Sequence, residues 1–106
     1  MTHKDFNKVW TDALAQDNFQ LYCEKQKIYF AEEYNASIER EIVAIHKIAW
    51  MHIKDIVKYA GCTQKEFALR YCIPLRTVEG WCTGKRNCND YIRLLICRDL
   101  GLLDVE

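Results

Sequence analysis

The sequence predicts an all-α protein: a helix-turn-helix domain preceded by a helical N-terminal extension. Three observations predict it. Residues 1–60 contain neither glycine nor proline, the residues that most strongly punctuate a chain, so helix with short polar breaks is expected over that span. Apolar residues then recur at steps of three and four, the spacing that gathers them on one helix face. Finally, Thr2 with Asp5 and Thr63 with Glu66 are reciprocal caps, each satisfying two free backbone N–H groups at a helix start.

Taken in order, Thr2 opens a helix expected over about 3–16, with Phe6, Trp10, Ala13 and Leu14 on its apolar side. Asp17-Asn18 is the break and the next cap. A second helix carries Phe19, Tyr22, Cys23, Tyr29, Phe30 and Tyr34, although the run Lys27-Ile28-Tyr29-Phe30 is rich in strand formers and a short strand there is the alternative. Ser37 can cap a third helix, with Glu39 and Glu41 in its favourable first turn. Ile38, Ile42, Ile45, Ala49, Ile53, Ile56 and Ala60 form one stripe on it, and Val43, His46, Trp50 and Val57 a second. So wide an apolar face implies burial on two sides. Lys47, Lys54 and Lys58 hold the solvent side, and Gly61 ends the helix.

Thr63 starts the next helix, with Phe67, Ala68 and Tyr71 on one face. Pro74 starts another at a position where its missing N–H costs nothing. Val78 and Trp81 point inward from it, with Ile73 just ahead, and Gly84 stops it. Ala68 lies where these two helices cross and permits a close approach. Two short helices with a turn of about three to four residues between them make a helix-turn-helix. Leu75, Arg76, Glu79 and Gly80 are then expected outward, as one exposed face of a helix held from behind, the geometry that fits a DNA major groove. After the motif Asn89 can cap a last helix bearing Tyr91, Ile92, Leu94, Leu95 and Ile96. Gly101 ends it, and Leu102-Leu103 folds back on the core. Two segments follow: an extension, 1–48, and a helix-turn-helix domain, 49–106.

From Cys62 to Asn89 the residues T-Q-K-E-F-A, I-P-L-R-T-V-x-x-W and T-G-K-R resemble the lambda-Cro-like, or xenobiotic-response-element, family of phage and bacterial regulators. The resemblance covers roughly 50–100, with the family's first helix falling at about 49–60. It implies a lambda-repressor-like fold, binding of double-stranded DNA as a homodimer, and a role in transcription regulation, commonly as a repressor. Two departures stand out: Cys72 replaces the usual turn glycine, and Cys88 a frequent proline.

The residues themselves assign roles. Arg76 offers paired donors to guanine, and the Glu79 carboxylate can accept from cytosine. Gly80 would let backbone approach DNA, Leu75 and Thr77 complete the reading helix, and the helix start at Gln64 and Lys65 can hold a phosphate on its N–H groups. The resemblance adds a sugar-phosphate contact for Gln64. Thr83, Lys85, Arg86 and Asn87 form the loop that would meet the next phosphates; such contacts position a protein, and base contacts choose the sequence. Trp10, Trp50 and Trp81 are expected in the core.

Composition bounds the rest. With 106 residues, half of them apolar, the chain can build one compact domain and disorder is not expected. Formal net charge is zero, which argues against a strongly basic nucleic-acid coat protein. Yet residues 63–98 hold seven Lys and Arg against three Asp and Glu, a local surplus suited to phosphate. No apolar run long enough to span a membrane occurs, and the N-terminus lacks an apolar signal core, so a cytoplasmic location is expected. The six cysteines form no C-x-x-C and the three histidines no H-x-x-x-H; reduced, partly buried thiols are expected rather than a zinc site. With one serine and no recognisable pair of carboxylates, no enzyme and no cofactor are expected. A second reading keeps the fold but gives it a protein partner, as an interaction or inhibitor module; neutral net charge and the apolar Leu75 favour it.

Overall fold

In the computed structural model, which describes residues 1–103, seven α-helices and one 3-10 turn follow one another and no strand occurs among the described residues. The helices are α1 (His3–Ala15), α2 (Phe19–Phe30), α3 (Ala36–Ala49), α4 (Ile53–Ala60), α5 (Gln64–Arg70), α6 (Leu75–Thr83) and α7 (Asp90–Asp99), with the 3-10 turn at Ala31–Glu33 after α2. They fall into two compact units. The first comprises Met1–Trp50 with the chain from Cys97 onward, and the second is Met51–Ile96.

In the first unit α1, α2 and α3 pack pairwise. Thr2 and Asp5 form the expected reciprocal cap of α1, and the Asn18 side chain accepts from the Leu21 N–H at the start of α2. Phe6, Val9, Trp10 and Ala13 of α1 are buried, as are Tyr22 and Phe30 of α2 and Ile42, Ile45, Ile48 and Ala49 of α3. The C-terminal carbonyls of α1 have no glycine cap to serve them, and orphan carbonyls must find donors elsewhere. Two side chains from the C-terminal end of α3 supply them. His46 Nε2–H donates to the Gln16 carbonyl at 2.8 Å and Trp50 Nε1–H to that of Ala13 at 2.8 Å. Tyr22 O–H donates to the Ile42 carbonyl at 2.7 Å, and its burial pushes the phenol well above its ordinary pKa.

One polar cluster ties α1 to α2. Burial would raise the Asp12 carboxyl, but hydrogen bonds from Lys8, Gln26 and Lys25 outweigh it and hold Asp12 below the ordinary carboxylate range. Gln26 is fully buried, so its amide N–H needs that acceptor. At the end of α7, Gly101 in the left-handed region (φ 75°) lets its N–H reach Arg98 and the Leu102 N–H reach Cys97, the paired bonds of a Schellman cap. Leu103 is buried, and Leu102 and Leu103 line one open cavity with Ala44 and Ile45 of α3.

In the second unit α4, α5 and α6 pack pairwise around Ile53, Ile56, Val57, Phe67, Ala68 and Val78, with Ile96 also buried. Thr63 and Glu66 form the second reciprocal cap. The turn of Tyr71–Pro74 between α5 and α6 closes α5 with another Schellman pair, Ile73 N–H to Ala68 and Cys72 N–H to Leu69. Cys72 takes the left-handed position, φ 54°. A side chain there costs of order 1 kcal/mol relative to glycine.

Three expectations are corrected. The stripe from Ile38 to Ala60 is two helices, broken at Trp50–His52. Asn35, not Ser37, caps α3 by accepting from the Ile38 N–H. The run Lys27–Phe30 lies in α2, the helix expected there, and not in the alternative strand. Val43 and Trp50 are exposed, Trp50 by 49%, because its indole reaches back along α1 for the Ala13 carbonyl rather than into the core. No helix among the described residues is long and apolar enough to cross a membrane.

Candidate nucleic-acid interface

The candidate interface is built on α5 and α6, and it starts from what pins α6. Val78 is completely buried and Ala68 nearly so, which seats α6 firmly in its unit. Pro74 precedes the helix with φ −58°, and its carbonyl accepts from both Thr77 and Val78. The N-terminus of α6 therefore emerges from a fixed turn. On the opposite side Leu75, Arg76, Glu79 and Thr83 are exposed, a strip at steps of three and four along nine residues of helix. Thr77 is half-buried at its margin. Thr83 Oγ1 donates to the Glu79 carbonyl at 3.0 Å, which trims the last turn.

Gly80 does not belong to that strip. It is buried, and a Cβ built on it would come to 3.0 Å from both Cγ and Cδ of Arg86. The Arg86 N–H also donates to the Gly80 carbonyl at 3.1 Å. The glycine is thus the seat of an arginine stem rather than a surface opened toward DNA. Helical spacing could not reveal this, because only the course of the 84–89 loop brings Arg86 back over α6.

Gln64 and Lys65 are exposed at the start of α5, and Lys85, Arg86 and Asn87 are exposed in the loop after α6. The Thr63 backbone N–H, donating to Glu66 Oε1 at 3.0 Å, holds the Glu66 carboxyl below its ordinary value. That cap leaves Gln64 and Lys65 outward on a well-formed first turn. Met51–Ile96 carries eight Lys and Arg against four Asp and Glu, whereas the rest of the chain carries seven against eleven. The zero net charge is a balance between a basic unit and an acidic one.

Trp81, expected in the core, is half-buried. It forms one wall of an open cavity of about 560 Å³, with Arg86, Asn87, Asn89, Arg93 and His52 among the other walls. Arg93 donates to Asp90 at 2.9 Å, with 13% of its side chain exposed. Cys88 is partly buried on the same cavity, and burial pushes its thiol up to about 11. That raised value describes a neutral thiol, not an activated nucleophile. No disulfide joins any of the six cysteines. No group of three or more His, Cys, Asp or Glu among the described residues could hold a metal ion.

Comparison of the chain with protein-family models, with curated proteins and with solved structures gives no match.

Proposed function

We propose that Met51–Ile96 is a lambda-repressor-like helix-turn-helix domain that binds double-stranded DNA in a sequence-specific way and serves a transcriptional regulator, most simply a repressor. The observation that carries this reading is α6 itself. It is anchored on one side by Val78 and bears Leu75, Arg76 and Glu79 exposed on the other. A rigid helix with arginine and glutamate at its outward N-terminal half can enter a major groove and place donors on guanine and an acceptor against cytosine. Gln64, Lys65, Thr83, Lys85 and Asn87 flank it and supply phosphate contacts that fix register. The basic surplus of this unit adds the sequence-independent attraction.

One recognition helix reads only a few base pairs, so the working form is a homodimer on two half-sites about 34–36 Å apart. Selection of a preferred duplex from a random pool tests the reading: one enriched sequence, with twofold symmetry, is the expected result. Random recovery, or no recovery at all, contradicts it.

A second reading is favoured by a specific observation. Leu69 is 72% exposed and Leu75 39%, so the α5–α6 surface also presents apolar groups to a protein partner. Such a surface would associate with little salt dependence, in contrast to phosphate-driven binding.

A further inference from the structure

The cavity beside Trp81 is a separate feature of the second unit, and its walls have a consistent chemistry. Two arginines, Arg86 and Arg93, line it with one acidic residue, Asp90. His52, Asn87 and Asn89 add polar side chains, and Trp81 supplies a partly exposed aromatic wall. The two arginines are placed differently. Arg93 is largely buried and tied to Asp90 at 2.9 Å. The Arg86 stem lies across Gly80, with Cγ and Cδ 3.0 Å from where a Cβ would stand, and its backbone is bonded to the Gly80 carbonyl. A planar guanidinium suits an oxyanion by paired hydrogen bonds, and the Arg86 stem starts its own from beside α6. A volume of about 560 Å³ falls within the range of small-molecule sites, which combine an apolar or aromatic wall with a few convergent polar groups.

We propose that this cavity binds a small phosphate monoester attached to a planar ring, of mononucleotide size. Arg86 and Arg93 take the phosphate, the Trp81 indole packs on the ring, and the Asn87 and Asn89 amides meet its polar edge. A phosphate has three terminal oxygens for this many donors, whereas a carboxylate has two. The same phosphate chemistry could come from a DNA backbone, and the experiment separates the two sources. This proposal does not rest on the DNA reading of α6.

The test uses the full chain and adenosine 5′-monophosphate as probe, followed by the Trp81 indole N–H resonance, which is assigned with Trp81→Phe. The expected result is saturable binding, about tenfold or more tighter than for adenosine or inorganic phosphate alone. Arg93→Gln and, separately, the exposed Arg86→Gln should each weaken it by about tenfold; folding of both is checked by circular dichroism. Gly80→Ala keeps every charge on the cavity wall but displaces the Arg86 stem, so it too should weaken the probe. Equal affinity for the nucleotide and inorganic phosphate overturns the proposal, as does a folded Arg86→Gln that binds like wild type. A short duplex is the last arm. If it displaces the nucleotide and loses affinity in parallel in both arginine variants, the cavity is a seat for backbone phosphate and the small-ligand proposal fails.

Discussion

Arg76 and Lys85 stand for two kinds of DNA contact, one to bases and one to phosphates. Both side chains are exposed, so alanine at either should change stability by no more than about 0.5 kcal/mol. Their effects on DNA should differ in kind. Arg76→Ala is expected to lose about 1–3 kcal/mol on the preferred duplex and much less on unrelated ones. Lys85→Ala should weaken all duplexes alike and lower the salt slope by about one counterion. Equilibrium titrations over a range of salt, on one preferred and one scrambled duplex, check both. Cys72 permits an opposite test, on stability alone. Its left-handed backbone strains any side chain, so Cys72→Gly should raise stability by roughly 0.5–1 kcal/mol, read as a rise in the denaturant midpoint. Cys72 was legible as the odd residue in a turn that prefers glycine, and the backbone angle explains what replaces that preference. Gly80 was not legible, because a glycine inside a helix signals equally a close neighbour, a ligand or nothing, and its neighbour lies six residues ahead on a loop.

Among the elements, the two reciprocal caps were readable because they are local: Thr2 with Asp5 and Thr63 with Glu66 settle their partners within one turn. Thr63→Ala should cost about 1 kcal/mol and leave both α5 and α6 less firmly placed. The carboxylates of these caps, together with Asp12, also set a pH dependence. Asp5, Asp12 and Glu66 are all held below their ordinary values, Asp5 chiefly by the Tyr29 hydroxyl. A carboxyl depressed in the folded state contributes stability that is present above its unfolded value, 4.5 for Glu66 and 3.8 for the two aspartates, and lost as pH falls through the folded one. Thermal midpoints should therefore fall below about pH 4.5, and Glu66→Gln should flatten part of that fall. An unchanged pH profile in Glu66→Gln would show the cap to be energetically idle. The break between α3 and α4 was hidden for the converse reason. Ile45, Ala49, Ile53 and Ile56 keep helical step across Trp50–His52, and neither glycine nor proline marks the place. The break follows from nonlocal demands, among them the Ala13 carbonyl that Trp50 satisfies.

For the whole molecule, the all-α class was plain from periodicity and from the long span without helix breakers, whereas the membership of the C-terminal segment was not. No residue near Cys97 announces that the chain returns to the N-terminal unit; burial of Leu103 and the Arg98 guanidinium 4.6 Å from the Phe6 ring centre are tertiary facts. Nor did the zero net charge disclose a basic Met51–Ile96 beside an acidic remainder. The exposed Phe19, Leu21, Val43 and Trp50 of the first unit offer apolar area for self-association, so the protein is expected to scatter light as a dimer at tens of micromolar. Trp50→Glu should then shift it toward monomer; a monomer in the wild type, with and without DNA, would remove this part of the account.

The central claim, that α6 reads DNA, is tested most directly by titrating wild type and Arg76→Ala onto the duplex enriched from a random pool, at several salt concentrations. Tight wild-type binding that weakens steeply with salt is expected, with a loss of about 1–3 kcal/mol for the folded variant on that duplex. If no duplex is enriched, or if Arg76→Ala binds as wild type does, α6 is not the reading element, and the apolar surface of Leu69 and Leu75 becomes the docking face for a protein.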